Sequence, residues 1–343
     1  ARAAARTSDQ DDRIAAFDRF YSAFQLAALN SGGATGRYFQ IAGKIICMRF
    51  ADKSLIPHLT KALSHRTVST ESEPDLTISI WDSDSTETPL PESFRPIFRL
   101  NPEIELAKQI GLRGEVPEFS DERFHCSVQL DPNILTMLDR ERNSCVYWIS
   151  DAGKLPVEKM GSPMRTVIHW WLGSPERQFV HAGAVGTNTG GALLAGAGGA
   201  GKSTTALNCL LDGMLYGGDD YVMVELDPDP KAVGVYQTVK IKTFDDLARF
   251  EEPRTWANAI DRGAGSKPMI FVGDHRREQL ADVLPLKAIV FPRFVSGESV
   301  KFNKMSERDS FCEMVPSNIK QIAFAEADCL KMLARLSRRL PSY

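Results

Sequence analysis

A chain of 343 residues, 43% of them hydrophobic, is long enough for two domains with separate cores. Its 41 basic and 44 acidic side chains give a formal net charge of −3, which leaves no electrostatic footprint for nucleic acid. No apolar run approaches the length of a membrane span, and Cys47, Cys126, Cys145, Cys209, Cys312 and Cys329 never reach C-x-x-C spacing. Zinc sites, disulfide scaffolds and membrane partners are therefore not expected, and reduced thiols in a cytoplasmic protein are the plain reading. The start, Ala1–Arg6, lacks an initiator methionine and a following apolar core, so no signal peptide is predicted.

Ile14, Phe17, Phe20, Tyr21 and Phe24 recur at helical spacing and predict a helix over about residues 11–29 with a core-facing aromatic stripe. Strand-like runs follow at Tyr38–Phe50, Leu76–Trp81, Phe98–Leu100 and Phe124–Leu130. A hairpin is predicted from Ile134–Leu138 and Cys145–Ile149 around Arg140–Asn143. His125 and Cys126 are neighbours on one strand and face opposite sides, against a shared ligand role. This α+β domain, residues 1–155, carries no recognisable chemistry; substrate recognition is one role open to it. A turn-rich boundary, Asp151–Pro156, separates it from residues 156–343.

Ser162-Pro163 reads as an N-cap and first-turn proline for a helix whose apolar face is Met164, Val167, Ile168 and Trp171, with His169 off that face and exposed. Phe179–Val185 and Gly191–Ala195 are strand-like and joined by the turn-rich Gly186–Gly190. Pairing symmetrically about residue 188 or 189, they place His181 opposite Gly196. A histidine there is either structural or a partner for a phosphate or carboxylate.

Gly196-Ala197-Gly198-Gly199-Ala200-Gly201-Lys202-Ser203 follows that second strand and opens a helix, the context that a phosphate-binding P-loop needs. Its glycines let the backbone approach an anion, and the N–H groups through Thr204 point at it. Lys202 neutralises the β/γ-phosphates of ATP, and Ser203 takes a position on Mg²⁺. The alternative is an Ala/Gly-rich turn.

Asp219-Asp220 stands only 17 residues after Lys202, behind the helix-stopping Gly213. The chain is expected to return as a strand beside the P-loop strand, bringing both carboxylates to the γ-phosphate, one for Mg²⁺ and one as a candidate base for a hydroxyl nucleophile. Two solvated turn aspartates are the alternative. Further on, Thr243-x-x-Asp246 and Ser306-x-x-Asp309 are capping boxes. Tyr236–Lys242 and Pro285–Arg293 read as strands, and Lys240, Lys242 and Arg293 are candidate phosphate cations. Leu330, Leu333, Leu336 and Leu340 stripe a last helix whose Lys331, Arg335, Arg338 and Arg339 read as a solvated face.

His181-Ala182-Gly183, the loop Gly196–Ser203 with Ala206-Leu207, and Asp219-Asp220-Tyr221-Val222 together resemble the catalytic domain of bacterial HPr kinase/phosphorylase and its looser relatives, some of which phosphorylate lasso-peptide precursors. The resemblance is specific over about residues 178–226. It implies an α/β fold, a phosphoenolpyruvate-carboxykinase-like P-loop kinase domain after the α+β N-terminal domain. It also implies ATP-dependent phosphorylation of a seryl hydroxyl in a protein or peptide, with His181, Lys202, Asp219 and Asp220 catalytic, Asp219 as the general base and Asp220 with Ser203 on Mg²⁺. Nothing matches that family's Arg-Gly-rich substrate loop beyond a faint echo at Asp261–Gly265, and the first 150 residues do not read as its N-terminal domain. A nucleotide-binding regulatory or scaffold protein with little catalysis, a small-molecule kinase, and a homo-oligomer stay open.

Overall fold

Two large sheets that share no strand, and one two-stranded pair, carry the fold of the described residues. The computed structural model describes residues 2–69, 73–98, 110–256, 267–295 and 299–343, with the side chains of 2–9 and of Glu158 left out. The chain is mixed α/β and forms two compact units, Ala1–Thr60 with Arg66–Pro156, and Lys61–His65 with Val157–Tyr343. Among the described residues no helix is long and apolar enough to cross a membrane.

In the first unit, helix α1 (Arg2–Asn30) lies on a six-stranded sheet of β1 (Thr35–Ile41), β2 (Lys44–Phe50), β3 (Leu76–Asp82), β4 (Phe124–Leu130), β5 (Asn133–Asp139) and β6 (Ser144–Ile149), in the order β1-β2-β3-β6-β5-β4. The aromatic stripe of α1 is core: Phe17, Phe20 and Phe24 are buried, and Phe20 sits 5.3 Å from Trp81 and 5.0 Å from Phe94, ring centre to ring centre. The run Tyr38–Phe50 is two strands rather than one, because Ala42 and Gly43 both take positive φ and close a tight hairpin. Phe98 ends a 3₁₀ turn instead of opening a strand, and the rest of that run, Arg99-Leu100, lies outside the described residues.

The second unit is built on a seven-stranded sheet of β7 (Arg177–Val180), β8 (Gly183–Thr187), β9 (Gly190–Leu194), β10 (Leu215–Gly218), β11 (Val222–Glu225), β12 (Lys231–Val233) and, after the small β13 (Thr238–Lys240)/β14 (Met269–Phe271) pair, β15 (Val283–Val290). Its order is β10-β8-β9-β15-β12-β11-β7, with β9 and β15 parallel and the other pairs antiparallel. Neighbouring residues of one strand serve opposite faces. Val185 and Leu194 pack with Ala206, Leu207 and Leu210 of helix α3 (Lys202–Leu211), which follows helix α2 (Arg165–Leu172). Ala184 and Leu193 join Met314 of α4 (Glu307–Asn318) and Met332, Leu333 and Leu336 of α5 (Glu326–Arg339). The sheet is thus sandwiched between α3 on one face and α4 with α5 on the other.

Three expectations change here. Asp219 and Asp220 fall just beyond β10, and that strand pairs with β8, not with the P-loop strand β9, whose second neighbour is β15. The run Phe179–Val185 breaks at His181-Ala182, since Val180 pairs with β11 whereas Gly183 pairs with β9. Helix α2 starts later than Ser162-Pro163 suggested, after Met164 in the left-handed region, and His169 is buried, stacked on Phe179 and accepting the Phe179 N–H at 3.4 Å. The basic face of α5 is solvated as expected, with Lys331 and Arg338 exposed, and its Arg335 and Arg339 also ion-pair Asp227 at 3.0 Å each, tying α5 to the β11–β12 turn.

Candidate active site

Strand β9 runs into the glycine loop with its register still fixed: the Ala195 N–H bonds the Val290 carbonyl at 2.9 Å. The chain then turns through Gly196, Gly199 and Gly201, with φ of +122°, +82° and +103°, conformations that L side chains rarely adopt. A Cβ added at Gly198 or Gly199 would meet nothing within 4 Å, so this rim of the loop is open. Lys202, the first residue of α3, is buried and curls back to donate to the carbonyls of Gly196 at 2.8 Å and Ala197 at 3.0 Å. Burial lowers its pKa, against the opposing pull of Asp219 and Asp220. The hydroxyl of its neighbour Ser203 lies near enough to Asp219 to favour the ionised carboxyl, working against burial.

Gly218 at φ +133° and Asp220 at φ +66° kink the chain between β10 and β11, giving the two carboxylates different surroundings. Asp219 is 2% exposed. Its Oδ2 accepts the Lys240 N–H at 3.3 Å, while its Oδ1 is buried and has no hydrogen-bond partner among the described residues. Burial, reinforced by the charge of Asp220, pushes its pKa up to about 6. Burial works on Asp220 in the same direction, but His181 and Lys240 overcome it and hold that carboxyl well below the usual range. Its Oδ1 is 3.3 Å from His181 Nε2 and its Oδ2 is 2.7 Å from Lys240 Nζ. Two adjacent carboxyls pushed apart in pKa are the pattern of a proton acceptor beside a fixed charge.

His181 occupies the break between β7 and β8, where its backbone N–H has no sheet partner and instead donates to Asn318 Oδ1 of α4 at 2.7 Å. Its Nδ1 is buried and has no hydrogen-bond partner among the described residues. Of the three candidate cations, only Lys240 reaches the carboxylates; Lys242 is exposed, and Arg293 lies 3.3 Å from Glu313. The Lys240 stem passes so close to Gly161 that a Cβ there would lie 2.5 Å from its Cε, so any larger residue would have to displace the lysine stem. The echo at Asp261–Gly265 lies outside the described residues.

Sequence reasoning missed the supporting residues Asn318, Tyr221, Gln321 and Arg165. The Tyr221 hydroxyl meets Gln321 Oε1 at 2.5 Å, its ring lies 6.0 Å from that of His181, and the Arg165 guanidinium sits 3.8 Å from its centre. Only the adjacency of Tyr221 to Asp220 was a sequence signal. The other three arrive from distant elements.

No protein-family model matches this chain, and no curated protein matches it either. Among solved structures, it is similar to the HPr(Ser) kinase/phosphatase from Coxiella burnetii, at 15% sequence identity and a TM-score of 0.25, over 37% of this chain and 71% of that one. A likeness of that size carries no weight for fold or chemistry, which rest on this chain's own residues.

Proposed function

We propose that this chain is a phosphotransferase that moves the γ-phosphoryl group of ATP to a serine hydroxyl of a protein or peptide, through a phosphoenolpyruvate-carboxykinase-like P-loop domain. The carrying observation is that the loop lysine and serine share one locus with a buried, half-satisfied aspartate and a second aspartate fixed by two cations. The residues fit a magnesium nucleotide. The open rim at Gly198 and Gly199 leaves room for phosphate oxygens, Lys202 sits over the loop, and Ser203 with Asp220 would hold Mg²⁺. Mg²⁺ commonly binds through one or two carboxylates plus substrate phosphates, and among the described residues no cluster of three metal-ligating side chains is present.

When bound, MgATP supplies the transferable phosphoryl group and part of the charge neutralisation. The protein's part is proton handling and positioning. Asp219 Oδ1 takes the proton from the acceptor hydroxyl, a role suited to a carboxyl poised near neutral pH. Lys202 balances the charge that builds on the phosphoryl oxygens. Asp220, His181 and Lys240 form the rigid wall that fixes the neighbouring aspartate.

The test is to incubate the full chain with labelled ATP, Mg²⁺ and proteins or peptides encoded beside its gene, and to search for phosphoserine by mass spectrometry. Phosphoserine that disappears in the folded Lys202→Ala variant is the expected result. Transfer at the wild-type rate by that variant would remove the loop from the mechanism.

A further inference from the structure

We infer that Phe294 is the stacking platform for the nucleoside base of the ligand whose phosphates the glycine loop holds. The inference rests on the nucleotide-binding part of the function proposed above and adds a subsite to it. Strands β9 and β15 are parallel neighbours, with Leu193 opposite Ile289 and Leu194 opposite Val290. Their carboxyl ends therefore open at the same edge of the sheet, the edge at which open α/β sheets take their ligands. The glycine loop leaves one strand there and Phe291–Val295 leaves the other.

The second segment lies directly against the loop. Phe291 and Phe294 approach the two ends of the glycine run: a Cβ on Gly196 would lie 3.7 Å from the Phe291 ring, and one on Gly201 would lie 3.1 Å from two atoms of the Phe294 ring. The two rings differ in their other contacts. Phe291 is 7% exposed and belongs to the sheet core, whereas Phe294 is 75% exposed although it touches the loop.

A large aromatic side chain left in water costs free energy unless something covers it. A base attached to phosphates in the adjoining loop is a planar, largely apolar surface of the kind that would cover this ring. The contact also gives a reason for glycine at 201 beyond its φ of +103°, since a side chain there would displace the ring. Stacking of this kind tolerates any base, so Phe294 sets affinity for nucleosides over bare polyphosphate rather than a choice among bases.

Calorimetric titration of the full chain with MgATP and with magnesium tripolyphosphate tests this, using wild type, Phe294→Ala and Phe294→Trp. Wild type is expected to bind ATP about tenfold or more tighter than tripolyphosphate. Phe294→Ala should lose that margin with tripolyphosphate binding unchanged. Phe294→Trp should keep it and show quenching of its indole fluorescence on adding ATP. An alanine variant that retains the full ATP margin overturns the assignment, as does one that loses both ligands equally, which would make Phe294 a support for the loop. If wild type binds neither ligand, the nucleotide-binding reading falls first and the subsite with it.

Discussion

Lys240 Nζ lies 2.7 Å from Asp220 Oδ2, and the backbone N–H of the same lysine points to Asp219 Oδ2 at 3.3 Å. One residue thus treats the two carboxyls unequally. Asp220 receives a full charge and stays ionised, while Asp219 receives only a long backbone hydrogen bond and is left to the desolvation that raises its pKa.

Replacing Lys240 by methionine should therefore cost more than a surface charge. The pair is largely shielded, with side chains 10% and 26% exposed, so an Asp220 left with His181 alone is expected to destabilise the protein by about 3 kcal/mol. Urea denaturation checks the magnitude. A double-mutant cycle checks the cause: Asp220→Asn in the Lys240→Met background should cost much less than it does alone.

The raised pKa of Asp219 carries a sign for stability against pH. Its folded value of about 6 lies above the ordinary aspartate value of 3.8. Between those values the unfolded chain has released a proton that the folded chain keeps, so this group makes stability fall as pH rises through about 4 to 6. Asp219→Asn removes that dependence. The variant should gain on wild type across this window, by a few kcal/mol in total, and hold the gain at higher pH. Thermal melts from pH 4 to 8 give the curve. A constant difference between the two proteins would mean that Asp219 titrates normally.

Catalysis separates the same two carboxyls in another way. Asp219→Asn should lower the phosphoryl-transfer rate at least a hundredfold with nucleotide affinity nearly unchanged. Asp220→Asn should also weaken Mg²⁺-dependent nucleotide binding, because it removes the ionised carboxyl assigned to the metal side. Calorimetry on both variants, with and without Mg²⁺, checks the division. The reverse pattern exchanges the roles, and full activity in both discards the pair.

What the sequence disclosed divides along range of interaction. Strand β4 was legible residue for residue at Phe124–Leu130, and the capping hydroxyls of Thr243 and Ser306 accept from the N–H groups of Asp246 and Asp309 as the boxes predict. These depend on neighbours within a few residues. The symmetric register of β8 on β9 was legible for the same reason, since a short loop fixes it. The order of the sheet was not, because the insertion of β8 between β9 and β10 is decided by packing across the whole unit. His169 was misread because off-face position on an isolated helix says nothing of Phe179, which covers it from another element. Likewise Lys240 could be shortlisted as a strand cation, but its pairing with Asp220 depends on how the separate β13/β14 pair packs beside the main sheet, which no local pattern encodes.

Asn318 is where this long-range dependence is most easily tested. It closes α4, donates through Nδ2 to the Met314 carbonyl at 2.8 Å, and presents Oδ1 to the His181 N–H at 2.7 Å. The amide is thereby oriented by its own helix before it meets His181. Asn318→Ala leaves that N–H unpaired in a half-buried site, which is expected to cost about 1–3 kcal/mol. Because His181 sits at a strand break with no ladder bond to hold it, its ring should also drift from Asp220, lowering transfer about ten- to a hundredfold at unchanged nucleotide affinity. Asn318→Asp keeps the acceptor but turns a carboxylate oxygen toward the Met314 carbonyl, so it should lose stability while retaining more activity than alanine. Single-turnover rates on the folded fraction, read beside urea curves, test both effects. Stability loss with an unaltered rate in both variants would make Asn318 a helix-end residue only, with no part in placing His181.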